Sequence, residues 1–290
     1  MRRTSVLSAV LLAAVLTGCA DPADEGKPVH LLSAQPTAQP TAQRTQAAPA
    51  EAEPPRTAAE FLARAEEAMG GQQGWTFAVR GREWLVLPGQ KSAATYTATV
   101  RRTTGDRWAL HSTGATSSKG VSKPEEIYVA DGTAYVKTGT EAWEEGPVTD
   151  PEFADRVEDP LAALDAFRRY GDEVTLATPD GRVELRARTT SAPLTGVRDR
   201  SVVRKALREL APTLAQLRAA GVAAPESEIS VGAVEETLFL DAATYRITGH
   251  TFKCTFLIPY DGQRIRYEQD VTERTSGTYN GTVSLPDGLK

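Results

Sequence analysis

The feature that most constrains this chain is a period of two, broken at intervals by Asp-Gly pairs. Residues 126–130 and 133–137 each alternate apolar and polar side chains, and Asp131-Gly132 joins them. Both central residues of a tight hairpin turn need positive φ, which Asp and Gly tolerate, so this stretch predicts a β-hairpin. The period recurs on either side. Trp75, Phe77 and Val79 alternate with Thr76, Ala78 and Arg80, and Gly81 predicts a bend before residues 83–87. Tyr96, Ala98 and Val100 alternate with threonines, residues 106–112 carry Trp108 and Leu110, and Trp143 closes this half. Further on, residues 174–177 and 183–187 turn at Pro179-Asp180-Gly181. Residues 237–240, 245–258 and 264–275 follow, the last two joined by Asp261-Gly262. Alternating strands linked by short turns predict antiparallel pairing.

Three stretches change to helical spacing. Thr57-Ala58-Ala59-Glu60 has the form of a capping box, Phe61, Leu62, Ala65, Ala68 and Met69 share one face, and Gly70-Gly71 stops the run. Asp159-Pro160 reads as an N-cap with proline at the first helical position, ahead of Leu161, Leu164 and Phe167. Residues 199–220 place Val203, Leu207, Leu210, Leu214 and Leu217 on one stripe, and Pro212 is expected to kink or split that helix. Arg200, Arg204, Lys205 and Arg208 form either a cationic flank or an ordinary solvated face.

Ahead of residue 57 the chain reads differently. Arg2 and Arg3 precede an apolar run over residues 6–16, too short to span a bilayer, and Gly18 stands just before Cys19. That is secretory-signal architecture. Leu16-Thr17-Gly18-Cys19 resembles the bacterial lipobox, with Thr17 where Ala or Ser is usual. The resemblance implies that residues 1–18 are a removed signal peptide. It also implies that Cys19 becomes the mature N-terminus and carries a diacylglyceryl group with palmitate-class chains. A plain signal peptide with an incidental cysteine is the alternative. Two acyl chains anchor stably where one is marginal, which places the protein on the outer face of the bacterial cell membrane. Residues 19–56 form a lipidated N-terminus and a Pro/Thr/Gln-rich linker, in which Ala34-Gln35-Pro36-Thr37 repeats as Ala38-Gln39-Pro40-Thr41. Such a chain buries too little apolar surface to order itself and extends at ~3 Å per residue. Residues 57–290 are left for one folded domain.

Composition excludes several classes. The net charge of -5 comes with no basic cluster able to track phosphates along a polymer, so nucleic acid is not an expected partner. Of 2 cysteines, Cys19 is assigned to lipid, and Cys254, between Phe252 and Phe256, reads as a small buried hydrophobe. No HExxH, phosphate-loop, GxSxG or SxxK motif is present, so neither an enzyme nor a bound cofactor is expected. His30, His111 and His250 are scattered; His111 and His250 fall in predicted strands and have the bystander reading, with no metal site expected. Glu125-Glu126, Glu144-Glu145 and Glu235-Glu236 read as solvated edges, because adjacent strand residues face opposite ways.

In order, the domain is a helix, a meander, a helical middle and a final set of strands. Asp131-Gly132-Thr133-Ala134-Tyr135-Val136-Lys137 followed by Trp143, the Asp159-Pro160-Leu161 helix start and Leu240-Asp241-Ala242 carry a family likeness. With the lipobox, they resemble the LppX/LprAFG family of actinobacterial lipoproteins, within the LolA/LolB-like superfamily. The resemblance implies an α+β fold: a curved antiparallel β half-barrel, helices packed on its concave side, and an apolar cavity between them. It implies a membrane-anchored monomer that binds or carries an acylated lipid or glycolipid. The candidate cavity-lining residues are Trp75, Phe77, Val79, Leu110, Leu161, Leu164, Phe167, Leu207, Leu210, Leu214, Phe252 and Phe256, each of which reads equally as packed core. The competing function is a non-catalytic interaction or sensor lipoprotein that binds protein or cell-wall polymer.

Overall fold

A computed structural model describes residues 53–87, 89–154, 156–222 and 224–289. The signal-peptide and Cys19 assignments lie outside the described residues, as does nearly all of the linker. At Thr57 the hydroxyl accepts from the Glu60 amide at 3.2 Å and the Glu60 carboxylate accepts from the Thr57 amide at 3.1 Å. Two free donors are thereby satisfied at the start of α1 (Ala58–Gly70), whose Phe61, Leu62, Ala65 and Met69 are buried.

The first meander is β1 (Gly74–Leu87), β2 (Gln90–Thr103), β3 (Leu110–Ser118), β4 (Val121–Ala130), β5 (Thr133–Thr138) and β6 (Glu144–Pro147). Two helices follow, α2 (Pro151–Ala154) and α3 (Ala162–Tyr170), then the hairpin β7 (Val174–Ala177) and β8 (Arg182–Thr189). The short β9 (Ala192–Pro193) leads into α4 (Leu194–Val197) and α5 (Ser201–Ala219). The chain ends in β10 (Ser230–Asp241), β11 (Ile247–Tyr260) and β12 (Gln263–Thr278). One antiparallel sheet contains them all, in the order β6-β5-β4-β3-β2-β1-β12-β11-β10-β8-β7, with β9 on β10. The seam is β12 against β1, which joins the two meanders, and the sheet stays open as a curved half-barrel. The β4–β5 and β11–β12 hairpins turn at Asp-Gly: Asp131 and Gly132 have φ of 48° and 78°, and Asp261 and Gly262 47° and 70°.

The larger helices share the concave face. α5 lies on β8 and β10, α3 on β8 and α5, and α1 on α3. Inward positions of the strands meet them in one core that includes Phe77, Val79, Leu185, Leu238, Phe252 and Phe256. Burying apolar area at roughly 25 cal/mol per Å² drives this closure. Cys254 belongs to the same core as a free thiol, and burial raises its pKa well above the usual range.

Four expectations change. Gly81 does not break β1, because Gly81 pairs in register with Tyr96 and Val271. β3 begins at Leu110, and Trp108 in the preceding turn lies under the Arg102 guanidinium at 4.5 Å. α3 begins at Ala162: Asp159 organises the turn before it, its carboxylate accepting from the Leu161 amide at 3.1 Å and its carbonyl from the Ala162 amide at 2.9 Å. Pro212 does not split α5, which runs on to Ala219 with Val203, Ala206, Leu210 and Leu214 buried on both sides of it.

Candidate functional site: a charged cluster and pocket on the concave face

Antiparallel register brings one row of inward positions together: Leu238 opposite His250, His250 opposite Glu273, and Glu273 opposite Val79. One row along, Glu236 faces Phe252, which sets it diagonal to His250, within reach of an imidazole. His250 Nε2 donates to Glu236 Oε1 at 2.7 Å, and Nδ1 donates to Glu273 Oε2 at 3.1 Å. A carboxylate acceptor beside each ring nitrogen leaves both nitrogens carrying protons, so this histidine is an imidazolium. Burial alone would lower its pKa; the charge of Glu273 and the bonds to both carboxylates outweigh that and raise it to about 9.

The helical layer completes the cluster. Lys205 on α5 donates to Glu236 Oε1 at 2.8 Å, and the Tyr170 hydroxyl at the end of α3 donates to Glu236 Oε2. Glu236 is 0% exposed, a position no isolated carboxylate tolerates. Its burial raises the pKa, but the His250 hydrogen bond and the Lys205 charge reverse this and hold it at about 2. Three elements therefore converge on a carboxylate supplied by a fourth, and α3 and α5 are pinned to the sheet by polar contacts as well as by apolar packing.

Beside the cluster a pocket of about 470 Å³ opens between sheet and helices. One wall is small and apolar, made by Ala162, Ala163 and Ala166 on α3 with Val157 before it. Most of the rest of the lining is charged: Arg169 on the same helix, Glu158 and Asp159 beside Val157, and Arg204, Lys205, Arg208, Glu209, His250 and Glu273. Asp159 meets the Arg102 Nε at 2.6 Å, and burial raises its carboxyl despite that partner. Burial, with Glu273 and Glu209 nearby, pushes Glu158 up to about 8, so it is mainly protonated at neutral pH. Glu158 and Glu209 also border a second pocket of about 280 Å³ over β1, β2 and β12. There Glu83 accepts from the Thr213 hydroxyl at 2.8 Å, and burial raises both Glu83 and Glu125.

The twelve candidate lining residues lie elsewhere. Trp75, Phe77, Val79, Leu110, Leu164, Phe167, Leu210, Leu214, Phe252 and Phe256 are buried in the core, while Leu161 and Leu207 are half-buried against it. None of the twelve borders either concave-face pocket. Several residues that do border them carry other readings in the sequence. His250 is no bystander, and Glu236 is no solvated edge, although its neighbour Glu235 does face the other way, as strand geometry requires. His111 is separated from His250 by three intervening strands, stacked on Tyr128 at 4.2 Å and bonded to Glu126 at 3.1 Å. On α5, Arg204, Lys205 and Arg208 border the pocket, Arg204 and Arg208 being exposed, whereas Arg200 pairs with Glu173.

Chemically, the cluster can bind and orient but offers no evident nucleophile. Ser201 borders the pocket, yet its hydroxyl accepts from Arg204 at 3.1 Å and has no general base against it. Among the described residues no group of three or more His, Cys, Asp or Glu side chains is placed to hold a metal ion, and no helix there is long and apolar enough to cross a membrane.

No family model matches the chain, and no curated protein matches its sequence. Among solved structures, LprF from Mycobacterium bovis is similar over 79% of this chain and 95% of that one, at 15% identity and a TM-score of 0.33. A LolA superfamily protein from Nitrosomonas europaea is similar over 80% of this chain and 96% of its own, at 10% identity and a TM-score of 0.25.

Proposed function

We propose that this chain is a non-catalytic envelope lipoprotein that binds an acylated lipid on the concave face of its sheet. The observation that carries the reading is a pocket of mixed lining, small apolar side chains beside charged ones, between a curved sheet and its helical layer. Its volume of about 470 Å³ lies within the roughly 300–1,000 Å³ typical of small-ligand sites. It suits the headgroup end of a lipid. The acyl chains would follow the helix–sheet seam, displacing the half-buried Leu161 and Leu207 before any of the ten buried candidates. Each methylene transferred from water contributes about 0.8 kcal/mol.

Anchoring through Cys19 belongs to the same proposal, with the chain held on the outer face of the cell membrane as a monomer. The test is native mass spectrometry of the full chain expressed in a bacterium and extracted from its membranes. The expected spectrum shows loss of residues 1–18, an acyl-modified Cys19 and a further non-covalent mass that organic solvent extracts as lipid. An unmodified, ligand-free mass would sink both parts. An acylated but ligand-free chain that takes up no offered lipid would leave the interaction-lipoprotein reading in its place.

A further inference from the structure

The pocket's charges do not cancel evenly, and the imbalance identifies a chemistry. Among its carboxylates, Glu273 is bonded to His250 and Asp159 is paired with Arg102, while Glu236 beneath them holds Lys205, His250 and Tyr170. Glu209 accepts only from the neutral Gln269 amide, at 3.2 Å. Arg169, Arg204 and Arg208 on the same rim pair with no carboxylate among the described residues. Arg204 and Arg208 are four residues apart on α5 and so project from one face, and Arg169 comes from α3 beside them. The α5 N-terminus contributes nothing, because Glu173 already accepts from the Ser201 amide at 3.0 Å.

We propose that Arg169, Arg204 and Arg208 form a site for a phosphate group, the headgroup of the lipid bound on this face. The inference rests on the lipid-binding reading and makes it specific. Guanidinium forks match the oxygens of phosphate in paired hydrogen bonds, and three forks exceed what the two oxygens of a carboxylate can take. The alanine wall then meets the glycerol and the first methylenes, so both kinds of lining are used. Burial of Glu158, which raises its pKa, keeps a competing negative charge out of the site at neutral pH.

The test uses the full chain in neutral detergent and two lipids with identical acyl chains, phosphatidic acid and uncharged diacylglycerol, with glycerol 3-phosphate as the soluble form of the same headgroup. Phosphatidic acid is expected to bind at least tenfold tighter than diacylglycerol. Arg204→Gln/Arg208→Gln should remove that preference, a loss of about tenfold in phosphatidic acid binding given the exposed rim. Arg204→Lys/Arg208→Lys, which keeps the charge and loses the forks, should fall between. Arg200→Gln, on the same helix but off the pocket, should behave as wild type. Equal binding of the two lipids would overturn the phosphate site and leave the lipid reading standing. Glycerol 3-phosphate binding as tightly as phosphatidic acid, and weakened in the glutamine variant, would keep the phosphate site and overturn the lipid. No binding of any of the three would overturn both.

Discussion

Replacing Glu236 with alanine removes the acceptor shared by Lys205, His250 and Tyr170, which leaves Lys205 without its ion-pair partner while His250 keeps Glu273. Two routes give the size of the effect. Truncating one partner of a buried ion pair costs about 3–5 kcal/mol. Independently, holding this carboxylate at about 2 against an ordinary 4.5 is worth about 3 kcal/mol. Both count the same contacts and are not summed, and the 23% exposure of the Lys205 side chain favours the lower end. The expected loss is therefore about 3 kcal/mol, or about 10 °C in melting temperature for a domain of this size. Urea unfolding followed by tryptophan fluorescence measures it. The sign in pH is fixed: a lowered carboxyl pKa stabilises above the unfolded value and loses that effect as pH falls through the folded one. The cost of Glu236→Ala should thus shrink between about pH 4.5 and 2. Glu235→Ala is the internal control, since its side chain points to the other face of β10. It should change stability by less than about 0.5 kcal/mol. If the two neighbours cost the same, the cluster does not pin the helices and the electrostatic reasoning fails.

Other outcomes follow from the same contacts. His250, raised to about 9 from 6.5, contributes fully below pH 6.5 and loses that contribution as pH rises through 9; stability should decline across that window, and more steeply in wild type than in His250→Gln. Glu158 is held protonated up to about 8, so the folded state is penalised as pH rises above the unfolded value of 4.5. Glu158→Gln should accordingly melt higher than wild type at pH 8 and equal to it at pH 4, by calorimetry. Leu210→Ala, in the sealed core, should cost about 3 kcal/mol, and Leu207→Ala, half-buried, about 1, in chemical denaturation. Thr57→Ala should cost about 1 kcal/mol through loss of the α1 cap, read as earlier amide exchange in the first turn of that helix.

Much of the fold was legible because its determinants are local. Asp131-Gly132 and Asp261-Gly262 specify turns by their own tolerance of positive φ, and Thr57 with Glu60 specifies a helix start within one turn. The site was not legible because Tyr170, Lys205, Glu236, His250 and Glu273 come from five elements and share no spacing. Register alone unites them. One signal was available: Glu236 occupies an inward slot of the series Val234, Glu236, Leu238, Leu240, and His250 stands in step with Phe252, Cys254 and Phe256. A charge at an inward position of an alternating strand must find a partner or be neutralised. The helix boundaries at Asp159 and Pro212 failed for a related reason. Asp159 is drawn into an ion pair with Arg102 from a distant strand, and the buried stripe on α5 holds the helix together across its proline.

The central claim is that a lipid occupies the pocket between α3 and the sheet. Ala166 stands in its apolar wall, half-buried, so Ala166→Trp would fill the space while leaving the core behind it intact. Titrating wild type and this variant with a fluorescent acyl-chain probe tests the claim most directly. One probe should bind per wild-type chain, and the variant, with an unchanged melting temperature, should bind none. Equal uptake by both proteins, or no uptake by wild type, would contradict it.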